Sequence, residues 1–239
     1  MIVAVIPTYN ERKNIAPLFA RLMPFVDFVV IVDDGSPDGT AKETSKYRQD
    51  GVLTVERQGK LGLGSAYVEG IFTAVMKFDP DVLITMDADL QHPPEDVPKL
   101  VDAIKHGADM AIASRYVKGG RTGFGLKRGI VSSGANALAR FALGLPAKDC
   151  TTAFRTFSRR AASILCKSAF SSSGFSYEVE VLKLMKDRGM KVVEVPSAFG
   201  IRVNGESKLT RKEVLSFIGT VVRLSLTLSN RKDGYEAVG

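Results

Sequence analysis

Val82-Leu83-Ile84-Thr85-Met86-Asp87-Ala88-Asp89-Leu90-Gln91-His92-Pro93-Pro94 is the stretch that decides how this chain is read. Residues 82–86 are continuously apolar or β-branched, the mark of a strand buried on both faces. The strand ends at Asp87, and a helix is expected over 93–106. Asp-x-Asp alone carries little information. With 15 aspartates in 239 residues, about one such pair arises by chance, and Asp79-Pro80-Asp81 is a decoy. Position separates the two. Asp87 and Asp89 follow a buried strand, at the edge where open α/β sheets bind ligands. Two carboxylates there repel each other unless a cation sits between them. A hard divalent ion, Mg²⁺ or Mn²⁺, accepts such oxygens and keeps positions open for a diphosphate. Gln91 adds a neutral oxygen. The alternative is a solvated turn whose aspartates cap a helix.

Outward from this stretch the pattern repeats. Residues 2–6 form another apolar run, closed by Pro7-Thr8-Tyr9-Asn10-Glu11 and followed by a helix over 10–22. Residues 28–32 form a third, closed by Asp33-Asp34-Gly35-Ser36-Pro37-Asp38-Gly39-Thr40, a dense turn signal. A helix over 40–46, a strand over 53–56 and a helix reaching 77 come next. Strand 110–114, helices 128–143, 161–168 and 177–188, and strand 191–195 complete the order. Thr210-Arg211-Lys212-Glu213 is a capping box for a last helix. This alternation predicts an α/β domain with a mostly parallel sheet flanked by helices. Tyr9 can stack on a base, and Glu11 can accept from a base or ribose. Asp34 can hold ribose hydroxyls, as acidic residues do in dinucleotide folds. Three clusters on one sheet edge argue for a nucleotide-diphosphate pocket. The glycine run 59–64 is not a Walker loop, because Lys60 precedes it rather than ending it.

Composition narrows the classes. At 45% hydrophobic and 25% charged residues the chain reads as an ordinary globular domain. Cys150 and Cys166 form no framework and no metal-ligand spacing, and are expected to be reduced thiols. Two histidines, His92 and His106, disfavour a zinc site or a Ser-His-Asp triad. The net charge of +7 is uneven: residues 1–120 carry −4 and residues 121–239 carry +11. The basic half is either a solvated surface or a face that meets an anion, whether phosphate, nucleic acid or acidic membrane. Basic residues neither interleave with aromatics nor mark a recognition helix, so no nucleic-acid partner is expected. No signal peptide is expected from the opening residues, and no segment reaches the about 20 apolar residues of a membrane span.

The three clusters carry a resemblance. Ile6-Pro7-Thr8-Tyr9-Asn10-Glu11, Val32 to Thr40 and Met86 to Pro94 resemble the inverting glycosyltransferases with the GT-A fold. Ser114-Arg115-Tyr116, Thr152-Ala153-Phe154-Arg155 and residues 202–209 extend the likeness to dolichyl-phosphate mannose synthases of the short form without a transmembrane domain. The resemblance implies a Rossmann-like GT-A catalytic domain over 1–210. An amphipathic, membrane-interfacial helix over 211–229 and a polar tail over 230–239 follow. It implies that Pro7, Tyr9, Glu11, Val32 and Asp34 bind the nucleoside. Asp87, Ala88, Asp89 and Gln91 would hold the diphosphate and its metal, with Asp87, Asp89 and Gln91 as the ligands. Arg115, Arg202 and Lys208 would contact donor phosphates or sugar, and Arg128 and Ser132 the acceptor phosphate. Asp89, Arg115 and Arg128 would be the catalytic residues.

The implied reaction moves mannose from GDP-mannose to dolichyl (polyprenyl) phosphate with inversion, giving a β-linked mannosyl phosphate. A UDP-glucose donor is the nearest alternative. No catalytic base is nominated, because a phosphate monoester with its second pKa near about 6 is already a nucleophile; Glu178 is the spare carboxylate to watch. The absence of Trp disfavours processive polysaccharide synthases, which carry Gln-x-x-Arg-Trp. The chain is expected on the cytoplasmic face of a membrane as a peripheral protein, with a membrane-anchoring subunit as a candidate partner. The helices over 128–143 and 210–228 either lie at the membrane interface or pack into the core.

Overall fold

The computed structural model describes residues 1–123, 126–172, 174, 176–200 and 211–232, with the side chains of 126–128, 130, 131, 211–213 and 227–232 excepted. In chain order the elements are β1 (Ile2–Thr8), α1 (Arg12–Leu22), β2 (Phe28–Asp33), α2 (Thr40–Ser45), β3 (Val52–Glu56) and α3 (Leu63–Phe78). Next come β4 (Val82–Thr85), α4 (Val97–Lys105), β5 (Met110–Ser114), β6 (Arg121–Thr122) and α5 (Leu126–Leu143). The chain closes with β7 (Arg155–Ser158), α6 (Arg159–Cys166), α7 (Ser176–Asp187), β8 (Val192–Pro196), β9 (Ala198–Phe199) and α8 (Arg211–Lys232).

Seven strands form one sheet in the order β3-β2-β1-β4-β7-β5-β8. Only β7 runs antiparallel, between β4 and β5. The runs that read as buried on both faces are so. In β1, Val3 and Val5 point into one core while Ala4 and Ile6 point into the other. In β2, Val30 and Val32 join the first core, and Val29 and Ile31 the second. Helices α3, α5, α6, α7 and α8 contribute to the first core, α1 and α4 to the second. Full burial of each Val or Ile among these stabilises by about 1.5–3 kcal/mol.

The strand order places the site. From β1 the chain steps outward to β3, then returns through α3 to lay β4 on the other side of β1. That reversal leaves a crevice beyond the carboxyl ends of β1 and β4, the usual ligand position in open α/β sheets.

Several elements differ from the sequence pattern. The strand β7 carries no apolar signature, because it opens with Arg155, which is fully buried. Arg121 and Thr122, in the glycine-rich connection, pair with Ala198 and Phe199 as a two-stranded parallel ribbon. The expected helix over 93–106 is a 3-10 turn at Pro94–Asp96 followed by α4. The last helix runs to Lys232, beyond the expected 229. Thr210 and the side chain of Glu213, the proposed capping box, lie outside the described residues.

Helix α3 lies flat on the sheet. A Cβ at Gly70 would stand 2.3 Å from Val5 Cγ1 and 3.0 Å from Val32 Cγ2. Alanine ordinarily stabilises a helix interior by about 1 kcal/mol over glycine. Overpacking costs about 1–3 kcal/mol, and at 2.3 Å it should win. Gly70→Ala is expected to lower the urea-unfolding free energy by about 1–2 kcal/mol; a variant as stable as the parent would show that α3 can lift off β1 and β2.

Candidate active site

The loops after β1, β2 and β4 meet at the crevice. Asp33 ties the first two together: its carboxylate accepts from Thr8 Oγ1 at 2.8 Å, Ser36 Oγ at 2.6 Å and Ser36 N at 2.8 Å. Asp34, next to it, is buried. It accepts from Arg57 Nη1 at 2.6 Å and from Gly62 N at 3.1 Å. Arg57 is itself buried and also donates to Ser65 Oγ at 2.7 Å. Asp34 therefore fastens the 57–65 loop to the end of β2. Tyr9 is half-buried, with Lys60 Nζ 4.4 Å from the centre of its ring. The Glu11 carboxylate accepts from Asn14 Nδ2 at 2.6 Å. Pro7 and Val32 are buried, paired in register across β1 and β2.

The turn after β4 is held from several sides. Asp87 N donates to His92 Nδ1 at 3.0 Å. His92 is buried, stacked on Phe154 and edge-on to Phe199. Burial pushes its pKa down against the pull of Asp87 and Asp89; the N–H that Asp87 donates to Nδ1 requires that nitrogen to be an acceptor, which places the ring proton on Nε2. Tyr67 OH donates to Asp87 Oδ1 at 3.0 Å. Burial, with Asp87 and Glu178 nearby, holds that phenol well above its ordinary pKa. Asp89 is buried and accepts from Gln91 N at 3.0 Å through Oδ1. Between them Leu90 adopts φ +63°, a left-handed conformation that costs a side-chain-bearing residue about 1–2 kcal/mol. Gln91 is strapped to the end of β9: Gly200 N donates to Gln91 O at 2.9 Å, and Gln91 Nε2 donates to Gly200 O at 3.4 Å. Ala88 is buried in the turn.

Arg115, at the end of β5, is clamped. Nε and Nη2 each donate at 2.7 Å to the two oxygens of fully buried Asp149, and Nη2 donates to Thr151 Oγ1 at 3.2 Å. Burial opposes its charge, but the Asp149 bonds outweigh that and raise its pKa. Thr151 Oγ1 also accepts from Asn136 Nδ2 at 3.3 Å. Asn136 Nδ2 donates to Ser132 O, and Tyr116 OH donates to Ser132 Oγ, both at 2.9 Å. Arg115 and Ser132 are thereby linked through one hydrogen-bonded chain. The side chain of Arg128, and all of Arg202 and Lys208, lie outside the described residues.

Glu178 is buried against Arg155, with Nη1 2.8 Å from its Oε2. Arg155 is wholly buried and also donates to Glu178 O at 2.7 Å and Cys150 O at 2.8 Å. Burial pushes the Glu178 carboxyl up to about 7 despite Arg155, with the charge of Asp87 adding to the rise.

Sequence reasoning missed Arg57, Tyr67, His92, Asn136 and Asp149. His92 lies inside the deciding stretch, yet a lone histidine there carried no signal for a backbone acceptor. Arg57 to Asp34, Tyr67 to Asp87, Asn136 to Thr151 and Asp149 to Arg115 are pairs 15 to 34 residues apart, so no local spacing reveals them.

Comparison with known proteins agrees with this geometry. The family model described as glycosyl transferase family 2 matches residues 3–165. A dolichol-phosphate mannosyltransferase of Pyrococcus furiosus is 41% identical over 229 residues, covering 92% of this chain and 62% of that protein. The chain therefore spans less than two thirds of that relative's length. A polyprenol monophosphomannose synthase of Mycolicibacterium smegmatis is 38% identical over 217 residues, 88% of this chain and 81% of that one. The crystal structure of glucosyl-3-phosphoglycerate synthase from Mycobacterium tuberculosis, in complex with Mn²⁺, UDP and glucosyl-3-phosphoglycerate, has a TM-score of 0.68 at 22% identity, covering 94% of this chain and 80% of that one. That likeness shows the fold, which is GT-A-like as the sequence motifs implied.

The raised Glu178 gives a signed pH dependence. Its folded value of about 7 lies above the unfolded carboxyl range, so the native state binds more protons between the two. Its contribution to stability is present below about pH 4.3 and is lost as pH rises through about 7. Between pH 5 and 8 the parent should lose a few kcal/mol more unfolding free energy than Glu178→Gln, read by urea titration at each pH. A difference between the two that does not change with pH would remove this account.

Proposed function

The chain belongs to glycosyl transferase family 2, and from that footing we propose that it transfers mannose from GDP-mannose to a polyprenyl (dolichyl) phosphate. The observation that carries this reading is the placement of Asp87 and Asp89 at the carboxyl end of β4, across the crevice from Tyr9 and Asp34. The names of the Pyrococcus and Mycolicibacterium relatives supply the sugar and the lipid class.

The residues suit a hard divalent cation. Asp87, Asp89 and Gln91 offer two carboxylates and an amide oxygen. Among the described residues no group of three His, Cys, Asp or Glu side chains could make a site by itself. An all-oxygen set too small to enclose an ion fits Mg²⁺ or Mn²⁺, which takes its other ligands from diphosphate and water. It does not fit zinc, which favours Cys and His. When bound, the metal neutralises charge on the departing diphosphate.

The remaining roles fall to the chain's own side chains. Pro7, Tyr9, Glu11, Val32 and Asp34 take the nucleoside, and Ala88 lies with Asp87, Asp89 and Gln91 at the diphosphate. Arg115, Arg202 and Lys208 are assigned to the donor phosphates or the sugar. Ser132 and Arg128 hold the acceptor phosphate. An oxygen of the lipid phosphate attacks the anomeric carbon as the bond from that carbon to the diphosphate oxygen breaks, and GDP leaves. In-line attack inverts the centre. No base is needed, because the phosphate is mostly dianionic at neutral pH; Glu178 is engaged with Arg155 and is not one. Catalysis is positioning and charge stabilisation.

The lipid end of the acceptor points to the outer helices. Helix α8 is apolar on two faces: Phe217 and Val221 are buried, whereas Leu215, Ile218, Val222 and Leu226 form an exposed stripe. Helix α5 packs on α8 and exposes Leu138 and Phe141, the latter 81% accessible. No described helix is long and apolar enough to cross a membrane. We read the stripe as resting on the cytoplasmic leaflet, where the basic half of the chain favours anionic lipid.

Labelled GDP-mannose or UDP-glucose, a polyprenyl phosphate and Mn²⁺ test the reaction. Mannolipid should form from GDP-mannose, and Asp89→Ala should lower turnover by about 10²–10⁴-fold with the fold intact. Turnover surviving both that change and EDTA would reject the metal; transfer from UDP-glucose alone would reassign the sugar. For the membrane, Phe141→Ser with Leu215→Asp should weaken binding to anionic vesicles at least about tenfold, since each buried side chain contributes about 1.5–3 kcal/mol. Undiminished co-sedimentation would place the membrane face elsewhere.

A further inference from the structure

We propose that Tyr67 is a positioning residue for the cation site: its hydroxyl fixes the Asp87 carboxylate, so that the metal meets a ligand already oriented. This deepens the reading above and rests on Asp87 being a metal ligand. Asp87 sits at the mouth of the crevice with its side chain 30% exposed. An exposed carboxylate turns freely about its last torsion. Here Oδ1 accepts from Tyr67 OH at 3.0 Å. A ligating carboxylate has no proton to give, so the phenol is the donor. The backbone of Asp87 is fixed separately, through its N–H to His92 Nδ1. Main chain and side chain are thus held by two different partners.

Tyr67 can serve this role because it has nowhere to move. Its side chain is fully buried on α3. In Gly64-Ser65-Ala66-Tyr67-Val68-Glu69-Gly70 the glycines lie one turn to each side of it, near the same helix face. A Cβ at Gly64 would stand 2.6 Å from Ser172 O and 3.0 Å from Tyr177 Cβ. Gly70 presses α3 on Val5 and Val32 as described. The Tyr67 ring stacks on Tyr177, centroids 5.8 Å apart and planes 6° apart. Close approach at both glycines and the stacked ring fix the position of the hydroxyl. The glycines thus have a use that phosphate binding did not give them. Groups that orient a metal ligand typically govern about 10–100-fold in metal affinity.

Titration with Mn²⁺, free ion read by electron paramagnetic resonance, with and without GDP, tests this on the full chain. Tyr67→Phe removes only the hydroxyl and should raise the Mn²⁺ dissociation constant about 10–100-fold, leaving the metal-free unfolding midpoint near the parent's. Tyr177→Phe is the control. That hydroxyl is buried in the same stack without a hydrogen-bond partner among the described residues, and its loss should leave Mn²⁺ affinity unchanged. Parent-like affinity in Tyr67→Phe, or equal weakening in both variants, overturns the role of Tyr67 and leaves the metal reading standing. A parent that binds no Mn²⁺ under either condition overturns both. A second measurement does not need the variant to fold. The chain has six Tyr and no Trp, so Mg²⁺ added to the parent should give a tyrosine difference spectrum; its absence also overturns the proposal.

Discussion

Negative charge crowded into one turn is the constraint around which the structure is arranged. Asp87 and Asp89 stand two residues apart at a strand end, beside a low-dielectric core where like charges repel strongly. The fold answers with neutral donors. Tyr67 gives a hydroxyl proton and Gln91 a backbone N–H, each to one carboxylate oxygen. His92, buried and accepting through Nδ1, takes the N–H of Asp87 and sets the path of the chain. These donors are uncharged, and under the proposed function a cation would complete the site. Leu90 in the left-handed region is the local cost of turning the chain tightly enough.

Positive charge near the crevice is spent differently. Arg57, Arg115 and Arg155 are each buried and each paired with a carboxylate: Asp34, Asp149 and Glu178. A buried pair is weak evidence for stability, because desolvation offsets most of the Coulomb gain. Geometry is the better account. A planar guanidinium with several donors can tie segments that share no secondary structure. Arg57 ties the loop after β3 to the end of β2, Arg115 ties the end of β5 to 149–151, and Arg155 ties β7 to α7 and Cys150. These ties border the loops from which the site is built.

What could be read beforehand follows the range of the interaction that decides it. Residues 2–6 and 82–86 announced themselves because burial on both faces leaves a local record, an unbroken apolar run. The clusters after them were legible because chemistry at a strand end is also local. The strand β7 was not, because its first residue is a charged arginine whose buried partners include Glu178, 23 residues away. The ribbon of β6 and β9 pairs two dipeptides more than 70 residues apart. Asp34 read as a ligand for ribose, and the fold shows it already bound by Arg57, a partnership invisible at 23 residues' separation. The choice between membrane face and core packing for the last helix could not be made from periodicity, because α8 has an apolar stripe on both sides.

The uneven charge of the chain then has a physical reason. In the proposed transfer donor and acceptor would both be phosphates, and their mutual repulsion would oppose bringing them together. On the acidic half the carboxylates would hold a cation that offsets the donor diphosphate. On the basic half the acceptor phosphate would need positive groups of its own. Arg115 brings orientation more than net charge, since Asp149 cancels it. The excess charge that an approaching lipid phosphate would require would then come from other basic residues of that half. Arg128, on the helix that also carries Ser132, and Arg202 and Lys208, which follow Gly200 in sequence, are the residues proposed to supply it. The hydrogen-bonded path from Arg115 through Thr151 and Asn136 to Ser132 would then keep the two anion sites in register.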